Sequence, residues 1–329
     1  MNKNKTKIFL IFIFFLLLIK TDYRIESTIN CCGDDFDYYS HAYTVAVDFD
    51  FDYENQIPEY SKFYFINGEK IAPVGFSGSG LLAAPFLFIG NIFDSIFNYS
   101  EKPFNFKIIF YSLSSLVYLT ASAILLYRSF LLLNKDIRRT TALLLLSGSG
   151  VAYFALERFS MTHVYEVFVN TLIIYLSTAA FKTSRNIYFA FIPFSIFLGL
   201  LVKLSNFYIV LIPLIIKELL DLKFSNKIFN LKNRVNFFVG FLFSTIFFIY
   251  INIKIYGKVI LNPSETYSAQ SQLSNYLESS FNIIQFVLDI LSTLYIVVFS
   301  QEFGIFWFSP AIFILLFFNI YYLLQKKYL

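Results

Sequence analysis

The chain has 329 residues, 57% of them hydrophobic and only 15% charged, with a mean hydropathy of +0.63. A soluble domain carries about a quarter charged residues, so this composition excludes an ordinary soluble fold and points to an all-α, polytopic membrane protein. The formal net charge of +4 is small and its basic residues are scattered, which excludes the concentrated basic face that nucleic acid requires.

Lys3, Lys5 and Lys7 precede an unbroken apolar run from Ile8 to Ile19, the pattern of a signal peptide or signal anchor. No small-x-small cleavage site follows, and Lys20-Thr-Asp-Tyr-Arg24 comes next. The reading is an uncleaved first helix with the N-terminus in the cytoplasm. Cys31 and Cys32 are adjacent. A disulfide between neighbours is strained and two cysteines do not make a zinc site, so they read as unpaired thiols near a membrane face.

Residues 20–104 read as a polar first loop, and strong apolar segments follow at 106–132, 140–156, 164–181, 187–202, 205–217 and 235–255. Each is long enough to span when tilt is allowed. Lys135, Arg138 and Arg139 fall in one connecting loop, Lys182 and Arg185 in another, and Lys217, Lys223, Lys227, Lys232 and Arg234 in a third. With the N-terminus inside, all three loops face the cytoplasm, as basic residues prefer. Segments 282–300 and 305–324 are both apolar. Lys326 and Lys327 end inside if 282–300 lies in the interface or re-enters. That gives eight spans, with nine if both segments cross. The whole chain, 1–329, reads as one transmembrane domain.

The first loop holds more than half of the chain's 22 acidic residues. Asp34, Asp35, Asp37, Asp48, Asp50 and Asp52 fall within one short stretch. Between its two clusters, Tyr38 to Val47 suits a short helix lying on the membrane. Asp34 and Asp35 then sit near its N-terminus, where the helix dipole favours carboxylates. Such carboxylates can hold a divalent metal against a phosphate or take a proton from an attacking hydroxyl. The alternative is a solvated acidic loop. Asp48-Phe-Asp-Phe-Asp52 looks like a strand edge or a turn.

Downstream, Asn67-Gly-Glu-Lys-Ile-Ala-Pro-Val-Gly-Phe-Ser-Gly-Ser-Gly80 reads as a glycine-rich loop. Lys70 could meet a phosphate there, but the loop is not a Walker sequence. The second outside loop, Glu157-Arg-Phe-Ser-Met-Thr-His163-Val-Tyr-Glu166, puts ionisable groups at a helix mouth. They are functional candidates, with boundary snorkelling as the competing account. The spans are otherwise nearly free of charge. Lys203 is the nearest exception, at a span boundary.

These features resemble the C-type-fold (GT-C) glycosyltransferases that use polyprenyl-phosphate sugars, near the aminoarabinose lipid A transferases and the protein O-mannosyltransferases. Asp34-Asp35-Phe-Asp-Tyr38 stands after the first span, where that family has an acidic pair and then Tyr. Asp48-Phe-Asp-Phe-Asp52-Tyr-Glu-Asn55 and Glu69-Lys70-x-x-Pro73 are similar to stretches of one bacterial branch. So are Leu82-x-x-Pro85-Phe86, Ser160-Met-Thr-His163 and Phe303-Gly-Ile-Phe-Trp-Phe-Ser-Pro310.

The resemblance implies an inverting membrane glycosyltransferase of cell-envelope glycan biosynthesis, in the bacterial inner (plasma) membrane. It would move a hexosyl or pentosyl group from a polyprenyl-phosphate donor to a lipid, glycan or protein hydroxyl outside the cytoplasm. Asp34 is the implied base, and Asp35 supports it or binds a metal such as Mg or Mn. Lys70 and Arg158 would hold the donor phosphate, with Asp37, Glu157 and His163 as further substrate or metal contacts. Asp37 stands where the family often has a basic residue. Family members often run on past the equivalent of Pro310, so a short or partial member, active or inactive, is the expectation. The rival classes are a transporter or flippase for a lipid-linked glycan, and a non-catalytic membrane subunit.

Overall fold

The computed structural model describes residues 33–57, 64–97, 105–133, 150–220, 230–262 and 264–267, with isolated positions 292, 295 and 299. The expected first span, the cysteine pair and most of segments 140–156, 282–300 and 305–324 lie outside the described residues. What is described is mostly helix, with one small hairpin.

Helix α1 (Gly33–Tyr43) carries Asp34 and Asp35 in its first turn and His41 in its last. The acidic placement suits the helix dipole. It runs on as a π-helical turn, Thr44–Asp48, and stops where Phe49 takes a left-handed conformation with φ 61°. Asp50 then organises a tight bend. Its Oδ1 accepts from the Thr44 hydroxyl at 2.8 Å and from the Asp52 N–H at 3.1 Å. The alternating Asp-Phe run is therefore a turn rather than a strand edge, held by the short side-chain-to-backbone bonds that aspartate favours.

Strands β1 (Phe65–Asn67) and β2 (Lys70–Ala72) pair antiparallel across a two-residue turn, with Asn67 opposite Lys70. Gly68 supplies the positive φ of 61° that such a turn demands. Helix α2 (Gly78–Phe97) follows. It falls within the stretch that the sequence reads as the first loop, yet it is long and apolar enough to cross a membrane. Helices α3 (Phe106–Leu132), α5 (His163–Thr183) and α8 (Leu231–Tyr256) also qualify by length and composition. Between them lie α4 (Val151–Leu156) and α6 (Asn186–Val202), the latter apolar but only 17 residues long. Among the described residues four helices qualify, and the other expected spans lie wholly or partly outside those residues or fall on shorter helices.

The expected span 205–217 is broken. Lys203 is extended, and a 3₁₀ helix (Leu204–Leu211) leads into α7 (Ile212–Leu219). A short helix, α9, covers Ser264–Tyr267.

Buried polar groups close the helix ends. Asp94 reaches from α2 to accept the N–H groups of Phe106 and Lys107 at 2.8 and 3.1 Å, while Asn105 accepts from Lys107 at 2.8 Å. The start of α3 is thereby capped twice. Asn230 caps α8, and Gly257 ends it with φ 70°.

A core of Leu87, Ile108, Tyr111, Tyr165, Val169 and Ile173 joins α2, α3 and α5. Gly199 of α6 packs against Val169 of α5 and Phe181 against Phe189, so α5 and α6 are antiparallel. Gly240 of α8 meets Ala190, and Phe248 meets Phe197, so α8 runs parallel to α6. This course gathers the first turn of α1, the segment before α2, the 157–163 loop, Lys203 and the end of α8 at one end of the bundle. The Lys182–Asn186 turn lies at the other, about 30 Å away at 1.5 Å per helical residue.

Candidate functional site

Consecutive residues of α1 point different ways, and this divides the acidic cluster. Asp35 is buried, with 2% of its surface exposed. Its Oδ2 accepts from Arg158 Nε at 3.0 Å and also from an Arg158 terminal nitrogen, while its Oδ1 accepts from the Ser160 hydroxyl. Both partners come from the short loop between α4 and α5. A carboxylate so enclosed is held by a charge-assisted fork and is spent on joining α1 to that loop.

Asp37 is buried on the next face. Its Oδ2 accepts the Gly75 N–H at 2.8 Å. Burial pushes Asp37 up to about 7, against that hydrogen bond and with help from the charge on Asp34. His41, one turn on, is fully buried between the Tyr53 hydroxyl at 2.7 Å and the Gly75 carbonyl at 2.8 Å. Burial holds it down to about 4, so it is neutral. Donation of Nε2–H to the carbonyl and acceptance from Tyr53 at Nδ1 satisfy every atom. Tyr256 adds a second donor to the same carbonyl at 3.0 Å. One residue, Gly75, is thus gripped through both its N–H and its carbonyl, from α1 and from the end of α8. A side chain at position 75 would lie 2.9 Å from Asp37 Cβ, so only glycine fits.

The remaining aspartate, Asp34, is exposed and lines a cavity of about 330 Å³. Its polar wall is Asp34, Tyr38, Thr162, His163, Lys203 and Ser205; Phe76 and Met161 are the apolar part. The cavity sits where α1, the start of α5 and the break after α6 meet.

Glu166, in the first turn of α5, organises its basic side. It accepts from Thr162 Oγ1 at 2.6 Å and Asn206 Nδ2 at 2.9 Å; Lys203 Nζ lies at 3.4 Å and His163 Nδ1 at 3.5 Å. His163 also packs on Phe154, with ring centroids 4.0 Å apart. Lys203 lines the cavity beside a partner that leaves its side chain about a third exposed, 36%. A carboxylate and an ammonium face one space, and hydroxyl groups surround them.

The expected residues are distributed as follows. Asp34 and His163 line the cavity. Asp35 and Arg158 are paired with each other behind it. Asp37 holds Gly75. Glu157 closes α4, its N–H bonded to the Tyr153 carbonyl at 2.7 Å. Lys70 is exposed on β2, beside Gly257 and outside the cavity lining. Lys203, Thr162, Tyr38 and Ser205 also line the cavity, though the sequence gives none of them as a site residue. Lys203 left one signal, a single cation between two apolar runs.

A divalent ion of the kind the sequence suggested needs several oxygen ligands. Asp35 is engaged by Arg158 and Ser160, and Asp37 by Gly75. Among the described residues no three acidic, histidine or cysteine side chains gather to hold a metal ion. The described carboxylates around Asp34 therefore do not by themselves make up such a site. No protein-family model, no curated protein and no solved structure matches this chain.

Proposed function

We propose that the chain is a membrane glycosyltransferase that moves a sugar from a polyprenyl-phosphate donor to a hydroxyl of a lipid, glycan or protein on the extracytoplasmic side. The carrying observation is the cavity in which exposed Asp34 and Lys203 share one space beside long apolar helices. An apolar carrier can lie along such helices while its sugar phosphate enters the polar space at their ends.

Asp34 takes the proton of the acceptor hydroxyl as that oxygen attacks the anomeric carbon. The bond from that carbon to the donor phosphate breaks, and the polyprenyl phosphate leaves with the electron pair. Lys203 meets the added charge on the leaving phosphate. A positioned base contributes about 10²–10⁴-fold to such a step. Asp35 serves by fixing α1 against the Arg158 loop, which sets the position of its neighbour Asp34. This assignment moves the phosphate contact from Lys70 and Arg158 to Lys203.

The experiment supplies radiolabelled polyprenyl-phosphate sugars to membranes with and without the protein. Label passing into a lipid, glycan or protein fraction only when the protein is present supports the reading. Equal transfer without it, across the hexosyl and pentosyl donors, retires it.

A further inference from the structure

A second cavity lies at the other end of the bundle, about 30 Å from Asp34 by the length of α5. Its volume is about 480 Å³, and Ser184, Arg185, Asn186, Ile187, Ala190 and Asn236 line it. Its origin is a divergence of two parallel helices. α6 and α8 touch at Ala190 and Gly240, where a Cβ on Gly240 would stand 2.1 Å from the Ala190 carbonyl oxygen. One turn nearer their starts, Asn186 and Asn236 face the gap instead. Another turn up, Lys232 lies four residues before Asn236 and so over the same opening.

The chemistry of this opening is that of an anion site. Arg185 is exposed, occupies the N-cap position of α6 and leaves that helix without a side-chain cap. The starts of α6 and α8 both end at the opening with their positive dipole ends. Two amides and a hydroxyl supply neutral hydrogen-bonding groups, and among the described residues no acidic side chain lines the cavity. Lys182 and Arg234 are exposed at the same end. Past the polar lining, exposed apolar side chains continue along both helices, with Ile187 and Phe191 on α6 and Val239 on α8. A ligand with a phosphate at one end and hydrocarbon below it matches this order from polar to apolar.

We propose that this cavity binds the phosphodiester headgroup of an anionic membrane phospholipid. Arg185 and Lys232 pair with the phosphate, Asn186 and Asn236 donate to its oxygens, and the acyl chains lie along Ile187 and Phe191. The site is separate from the Asp34 cavity and stands whether or not the chain transfers sugar. Near a charged membrane surface each Lys or Arg contributes about fivefold in lipid affinity.

Native mass spectrometry of the full chain in detergent tests this, with phosphatidylglycerol, phosphatidylcholine and inorganic phosphate as probes. The expected result is retention of phosphatidylglycerol over phosphatidylcholine. Binding should fall about fivefold in Arg185→Gln and further in Arg185→Gln/Lys232→Gln. Lys254→Gln, near the other end of α8, should bind as wild type does, and millimolar phosphate should not displace the lipid. Equal retention of both lipids overturns the proposal. So does undiminished phosphatidylglycerol binding in the double variant, or a cavity that takes inorganic phosphate and no lipid. A matching thermal midpoint for the variant without added lipid separates lost binding from lost folding.

Discussion

Asp35 and Arg158 are 123 residues apart in the chain, and the arginine closes on the aspartate from two nitrogens, one of them 3.0 Å from Oδ2. Asp35 is buried while the Arg158 side chain is 23% exposed. Removing the cation strands a buried carboxylate, which costs about 3 kcal/mol. Arg158→Ala should therefore lower the thermal midpoint of the solubilised protein clearly. Asp35→Asn/Arg158→Gln should recover part of the loss, because the neutral pair leaves no uncompensated charge. A double variant as unstable as the sum of its singles contradicts this.

How much of this was legible in the sequence differs by residue. The acidic pair at a helix start was legible, because charge at an N-terminus and an aromatic-apolar run after it are local signals. Span 106–132 was legible for the same reason and matches α3. The start of α2 was not. Gly78-Ser-Gly80 reads as a loop, yet a Cβ at Gly78 would lie 2.3 Å from the Val202 nitrogen and one at Gly80 would lie 2.5 Å from His41 Cβ. These glycines serve helix packing, which only the folded chain shows. The different fates of Asp34, Asp35 and Asp37 were equally hidden, since the partners of the two buried ones lie 123 and 38 residues away.

That packing gives its own expectation. Gly78→Ala places a methyl against backbone, which cannot yield as a side chain tip can, and should destabilise by about 1–3 kcal/mol. Gly33→Ala meets nothing within 4 Å and should stay within about 0.5 kcal/mol of wild type. Thermal unfolding in detergent checks both, and equal effects at the two positions contradict the close contact.

The two titratable groups on Gly75 should oppose each other with pH. Asp37 keeps its proton in the fold up to about 7, whereas the unfolded chain gives it up near the ordinary value of 3.8. Its contribution therefore falls as pH rises between those values. His41 refuses a proton in the fold down to about 4, whereas the unfolded chain binds one below 6.5. Its contribution therefore falls as pH drops through that window. Asp37→Asn, which still accepts from Gly75 N–H, should lose stability on acidification from pH 6.5 to 4. His41→Gln should lose stability as pH rises from 4 to 7. Each slope is at most about 1.4 kcal/mol per pH unit, with wild type flatter than either. Slopes of the same sign in both variants contradict the opposition.

The two lysines nearest the site should separate in kinetics. Lys203 lines the Asp34 cavity and Lys70 does not. A charged hydrogen bond of about 1.5–3 kcal/mol to phosphate makes Lys203→Met about 10–100-fold poorer in kcat/KM for a polyprenyl-phosphate sugar. Lys70→Met should change it little. Steady-state transfer kinetics decide, and the reverse order moves the phosphate to the hairpin.

The most direct measurement concerns Asp34, the exposed carboxylate of the cavity. Transfer from a polyprenyl-phosphate sugar is compared for wild type and Asp34→Asn in membranes with matched amounts of folded protein. The expected result is a fall of about 10²–10⁴-fold in transfer rate, with thermal stability close to wild type because Asp34 is exposed. Full activity in Asp34→Asn at normal expression contradicts the assignment of Asp34 as the base.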